Sequence, residues 1–171
     1  MNATINLNIS NIKSSEVMTE NVILYCGIAA DEPPCFQMSL DKQEEHLKAY
    51  CTAHDYHIID IPEFQGCKEV HDGKSFKKRP VMSAILDYIR KNHQKVDKLL
   101  FCRWQHFSQD LESAISVLRE LHKLGVEVNS IANGIDFNSP DWSILVAIYT
   151  MPNYSAIHRR KKRTDIHSSN I

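Results

Sequence analysis

Short apolar runs alternate along this chain with longer stretches of helical spacing, and that alternation constrains the fold more than any other feature. The first run, "VILYCGIA" at 22–29, supplies Val22, Ile23, Leu24 and Ile28 as strand formers, and Asp31, Glu32, Pro33 and Pro34 stop it. Residues 39–54 then place Leu40, Leu47, Tyr50, Cys51 and His54 on one helical face, with Ser39 as the N-cap. "YHIIDI", 56–61, reads as a second strand. Pro80 suits the first turn of a helix over 80–92 whose core face is Met82, Ile85, Leu86 and Ile89. "DKLLFCRW", 97–104, is the next strand. Leu111, Ala114, Ile115, Leu118 and Leu121 follow at helical spacing within 109–125, closed by Gly125. "VEVNSI", 126–131, is a further strand with Val126, Val128 and Ser130 on one face, and an apolar helix begins after a polar turn at about 141. The order βαβαβαβα predicts an α/β fold, a mostly parallel sheet with helices on both faces and a C-terminal helix.

What lies between and around these elements suggests the domain plan. Residues 1–20 are rich in Asn, Ser and Thr and read as a flexible tail. The domain proper spans 21–151. Residues 152–171 read as the start of a basic helix or tail, with no separate DNA-binding domain following it. The stretch 62–80, with two Gly, a Pro at each end and no periodicity, reads as one long loop, which inside a compact domain points to function or mobility.

Bulk chemistry narrows the function classes. At 171 residues the chain supports one core without disulfides or metal. A net charge of −1 gives the whole molecule no general attraction for nucleic acid or anionic membrane. Distribution matters more, because "HRRKKR", 158–163, sets five full positive charges in six residues. Five cysteines without a C-x-x-C fit reduced thiols better than a disulfide framework. The N-terminus has neither the basic start nor the apolar run of a signal peptide, and no stretch approaches a membrane span, so the expected location is the cytoplasm with no membrane partner.

Four groups of residues could carry chemistry. The basic run is either a solvated helix end or a phosphate contact, the latter through Arg159, Arg160, Lys161, Lys162 and Arg163. "KSFKKRP", 74–80, is a second basic patch, in which Arg79 stands at a helix start beside Pro80 and suits an oriented guanidinium. "FCRWQHFSQD", 101–110, puts Gln105, His106 and Ser108 just past a strand, where α/β folds place sites. Ser108 reads equally as the N-cap of the next helix. The pair His54 and His57 matches no common metal-ligand spacing, so no metal or other cofactor is expected. No P-loop, dinucleotide fingerprint or Ser-His-Asp arrangement is present.

Together the element order and several short strings resemble the catalytic domain of the resolvase/invertase family of serine site-specific recombinases, from about Val22 to Arg160. That family opens with a strand ending Tyr-x-Arg-Val-Ser, whose serine is the nucleophile. Here the string is Tyr25, Cys26, Gly27, Ile28, Ala29, so Gly27 stands at the arginine position and Ala29 at the serine position. The family's Ser-Leu-x-x-Gln is intact as Ser39, Leu40 and Gln43, and its Arg-Pro as Arg79 and Pro80. Its Asp-Arg-(Leu/Phe)-Ser-Arg reads Gln105, His106, Phe107, Ser108, Gln109, keeping only the serine. "IDFNSP", 135–140, resembles the turn ahead of the family's long helix.

The resemblance implies DNA strand exchange through a phosphoseryl link, and the substitutions imply that this chemistry has been removed. The retained positions are Tyr25, Gln43, Arg79 and Ser108. The substituted ones are Gly27, Ala29, Gln105, His106 and Gln109. The expectation is a pseudoenzyme that dimerises or joins an active recombinase near DNA, with Ile144, Leu145, Ile148, Tyr149 and Met151 as contact surface. The alternative is an active recombinase with a rearranged site, in which Cys26 is one substitute nucleophile.

Overall fold

The computed structural model describes residues 19–30, 37–61, 67–72 and 76–150. Their order is β1 (Asn21–Ala29), α1 (Leu40–Ala53), β2 (His57–Ile58), β3 (Lys68–His71), α2 (Pro80–Asn92), β4 (Lys98–Phe101), α3 (Trp104–Phe107), α4 (Leu111–Lys123), β5 (Glu127–Ser130) and α5 (Trp142–Thr150). The sheet runs β2-β1-β4-β5, with β3 also pairing β1, and every pairing is parallel.

Strand alternation divides the core between two faces. Ile23, Tyr25, Leu99, Phe101, Val126 and Val128 face α2 and α4. Val22, Leu24, Cys26, Leu100 and Cys102 face Leu47 and Cys51 of α1. Helices thus cover both faces, as the α/β reading expects. The boundaries follow local chemistry: Ser39 caps α1 by accepting the Lys42 N–H, Pro80 opens α2, and Gly125 leaves α4 with φ +79.

Three expectations are corrected. The stretch 62–80 is not one loop, because β3 lies inside it, paired from Cys26↔Lys68 to Ala29↔His71. Two of its four residues, Lys68 and Glu69, use their side chains in ion pairs, so no apolar alternation announces it. The strand read over 56–61 shrinks to His57–Ile58, because β1 gives up that edge to β3 five residues later. The strand read over 97–104 stops at Phe101, and Trp104 starts the short helix α3. Residues 1–18 and 151–171, including the expected tail and basic run, lie outside the described residues.

Candidate functional site

Tyr25, Gly27 and Ala29 share one face of β1, and around them the chain assembles a buried polar network. Arg79, only 1% exposed, is its centre. Its Nε donates to Glu69 Oε1 at 3.0 Å, one terminal nitrogen donates to the Phe107 carbonyl, and the other donates to the Tyr25 hydroxyl and, at 3.3 Å, the His106 carbonyl. The Tyr25 hydroxyl in turn donates to Glu69 Oε1 at 2.8 Å, and Glu69 Oε2 accepts the Val81 N–H at 3.1 Å. The guanidinium lies 4.8 Å from the Phe76 ring centroid and 5.3 Å from that of Tyr25.

The chain reaches this geometry by bringing three separate segments onto β1. β3 sets Glu69 and His71 beside Gly27 and Ala29 in register. Pro80 starts α2 and leaves Arg79 extended (φ −114, ψ 94) just ahead of it. α3 turns the carbonyls of His106 and Phe107 inward. The Arg79 charge is therefore compensated by a buried carboxylate and by polar acceptors, as a buried ion requires.

Two histidines flank the network. His71 Nε2 lies 3.1 Å from the His106 carbonyl, and among the described residues neither ring nitrogen of His106 has a hydrogen-bond partner. Burial drops the His71 pKa to about 4, helped by the Arg79 charge. Burial likewise takes His106 to about 4, helped by Arg103 and His71. Both rings are neutral at pH 7. Burial also pushes the Tyr25 phenol far above its ordinary value.

The sequence-predicted residues take distinct places. Tyr25 and Arg79 meet, and Gly27 and His106 adjoin them. Gln43 reaches Gly27 from α1, where β4 has already ended. Its Oε1 accepts the Gly27 N–H at 3.1 Å and its Nε2 donates to the Gly27 carbonyl at 3.0 Å, continuing the ladder with a side-chain amide. Ala29 is buried at the end of the strand. Gln105 and Gln109 are half-buried on α3 and the turn after it.

Ser108 stays apart: its hydroxyl accepts the Asp110 N–H at 3.1 Å, and Asp110 is the residue flanking α4, so the N-cap expectation for Ser108 is corrected to a local turn. Cys26 sits on the opposite face of β1 from Tyr25 and Ala29, its thiol pushed up to about 12 by burial. It does not face the site. Glu69 and His71 were missing from the sequence reading, although the charged pair Lys68-Glu69 inside an otherwise unpatterned stretch was their signal. No group of three potential metal ligands occurs among the described residues. Arg159, Arg160, Lys161, Lys162 and Arg163 fall outside them.

The chain matches a known family in sequence and resembles solved structures in fold. The model of the resolvase N-terminal domain matches residues 22–168. The chain belongs to the resolvase N-terminal domain family. Among solved structures the resolvase domain is similar to the N-terminal catalytic domain of TP901-1 integrase. The TM-score is 0.58 at 18% identity, over 85% of this chain and 98% of that one. It is similar also to a resolvase family site-specific recombinase from Streptococcus pneumoniae, with a TM-score of 0.56 at 19% identity, over 88% of this chain and 95% of that one. No curated protein matches it. Membership ties the resolvase domain to DNA recombination. Among its described residues no helix is long and apolar enough to cross a membrane.

Proposed function

We propose that this domain serves DNA recombination without cutting DNA, as an assembly module that pairs with a second copy or with an active recombinase. The observation that carries the reading is the closure of the site around Arg79. Attack on a phosphodiester needs a nucleophile facing the phosphate and cationic donors free to meet its developing charge. Position 29 offers a buried methyl group, and position 27 offers no side chain. The retained arginine directs its donors to Glu69, Tyr25 and two carbonyls, within the protein. His106 brings a neutral ring where the family pattern has an arginine.

The partner surface is α5. Ile144 and Ile148, one turn apart, are each 58% exposed, and the helix has no charged residue. Leu145 and Tyr149, expected on the same surface, instead pack against the core, and Met151 lies outside the described residues. DNA contact through Arg159, Arg160, Lys161, Lys162 and Arg163 would be electrostatic, with affinity falling steeply as salt rises.

The test is a search for a covalent protein–DNA adduct. The tagged full chain is recovered from SDS-denatured cells of its native host beside a recombinase with intact motifs. DNA on the control and none on this chain is the expected result. DNA recovered on this chain would overturn the proposal, and peptide mapping would then name the nucleophile.

A further inference from the structure

Arg79 does more than neutralise Glu69. Two of its contacts go to the backbone of α3: one terminal nitrogen donates to the Phe107 carbonyl, and the other donates to the His106 carbonyl at 3.3 Å. Those carbonyls end a helix of four residues. A helix leaves its last carbonyls without partners of its own. A single turn is also far below the ~12–15 residues at which a helix begins to stand alone. Within the turn, the Trp104 carbonyl accepts the Ser108 N–H at 3.0 Å. The His106 and Phe107 carbonyls look instead to Arg79, which pins the end of α3 from a different part of the chain.

α3 in turn supports α5. The two helices are in direct contact, and Val146 of α5 shares one buried cluster with Trp104 and Phe107. Trp104 is fixed on several sides. Its ring meets Phe101 edge-on with centroids 5.0 Å apart, and its Nε1 donates to the Asn133 carbonyl at 2.8 Å. From there the rings continue outward: Trp104 to Phe137 at 6.5 Å, and Phe137 to Trp142, the first residue of α5, at 5.4 Å. The Arg119 guanidinium of α4 lies 6.0 Å from the Trp142 ring centroid, on the same end of α5. Packed side chains of this kind transmit a displacement from one element to the next.

We propose that Arg79 is a positioning residue for the partner surface: by pinning the end of α3 it seats α5, and with it Ile144 and Ile148. Its bearing on association rests on α5 being the assembly surface, whereas the seating of α5 is a property of the single domain. An arginine turned away from any phosphate thus keeps a task, which is to hold the element that carries the contact residues.

The chain has two tryptophans, Trp104 and Trp142, so a 15N–1H spectrum of the full-length protein holds one indole signal from α3 and one from α5. In the paired variant Glu69→Leu with Arg79→Met, the Trp142 signal should shift in dilute protein, and association at high concentration should weaken by about tenfold or more. Arg79→Lys keeps a charge beside Glu69 but offers one nitrogen in place of three. It should shift Trp142 as well, and it carries the test if the paired variant does not fold. Leu47→Ala opens a cavity in the cluster on the opposite face of the sheet and lowers stability, yet should leave Trp142 in place. An unmoved Trp142 in a folded Arg79 variant overturns the proposal, as does a Trp142 moved equally by Leu47→Ala. Unchanged association in a variant whose Trp142 has moved overturns the link to the partner surface. A wild type monomeric at high concentration would sink the assembly reading instead, and Trp142 alone would then decide whether Arg79 seats α5.

Discussion

The Tyr25 hydroxyl fills the space that a side chain at Gly27 would need. A Cβ built at Gly27 falls against that hydroxyl and lies 2.8 Å from the His106 carbonyl oxygen, so neither neighbour leaves room. Tyr25 cannot simply swing aside, because Arg79 and Glu69 both hold its oxygen. Gly27→Ala should therefore destabilise the fold by about 1–3 kcal/mol, the range for overpacking a filled core. Urea unfolding of the two proteins measures it, and an unchanged midpoint would refute it. Gly27→Arg combined with Ala29→Ser should likewise fail to restore strand cleavage in a supercoiled-plasmid assay, since the arginine has no space and Arg79 stays engaged.

Glu69 and Arg79 form the most deeply buried ion pair among the described residues. Removing one member leaves the other charged and uncompensated in the core. Glu69→Ala or Arg79→Ala should each cost about 3–5 kcal/mol. The paired change Glu69→Leu with Arg79→Met should cost clearly less than the sum, because no orphan charge remains. A double-mutant cycle by denaturant unfolding reads the coupling, and strict additivity would show that the two residues do not act as a pair.

How far the sequence revealed this arrangement depended on which residues carry periodic apolar signals. α2 and α4 were readable because Met82, Ile85, Ile89, Leu118 and Leu121 must all face one core. Gln43 was readable only as a match to a family string, and Arg79 as that and as an oriented guanidinium beside Pro80, but the role of neither was. A glutamine that finishes a strand ladder and an arginine folded inward look no different in sequence from ligands of a phosphate. β3 was illegible because four residues with two charges show no alternation. Its partner contacts, which make Glu69 and His71 part of the site, arise from pairing with residues some 40 positions earlier.

The histidines should make the fold acid-labile. His71 and His106 are held neutral in the fold with pKa values of about 4, whereas in the unfolded chain each titrates near 6.5. Below about 6.5 the unfolded state binds more protons, so stability declines as pH falls and the loss is complete once pH passes below 4. Each histidine contributes up to about 3 kcal/mol to this decline. Thermal melting from pH 7.5 to 4 should show a falling Tm, and the fall should be smaller in His106→Phe. A variant with the same pH slope as the wild type would exclude His106 as a cause.

Cys26, Cys51, Cys67 and Cys102 are all free and buried, with burial raising each thiol above its ordinary value. A thiolate is the reactive form. In the native protein at pH 8 these four should resist a thiol reagent that labels them readily in guanidinium. Mass spectrometry of peptides assigns the sites. Rapid native labelling of Cys26 in particular would contradict its placement on the α1 side of β1.

If α5 is the assembly surface, its exposed isoleucines carry the association. Ile144 and Ile148 stand on one side of the helix, while Val146 and Thr150 face the interior. Charged groups there would have to be desolvated in an interface without a partner of opposite sign, since α5 itself has none. The double substitution Ile144→Asp and Ile148→Asp should convert a dimer to a monomer in sedimentation equilibrium, with association weakened by at least ~100-fold, a change of about 2.7 kcal/mol. Because both side chains are exposed in the single domain, its Tm extrapolated to low concentration should stay nearly the same. A wild-type protein monomeric at high concentration, or a double variant that associates as well as the wild type, would move the partner surface away from α5.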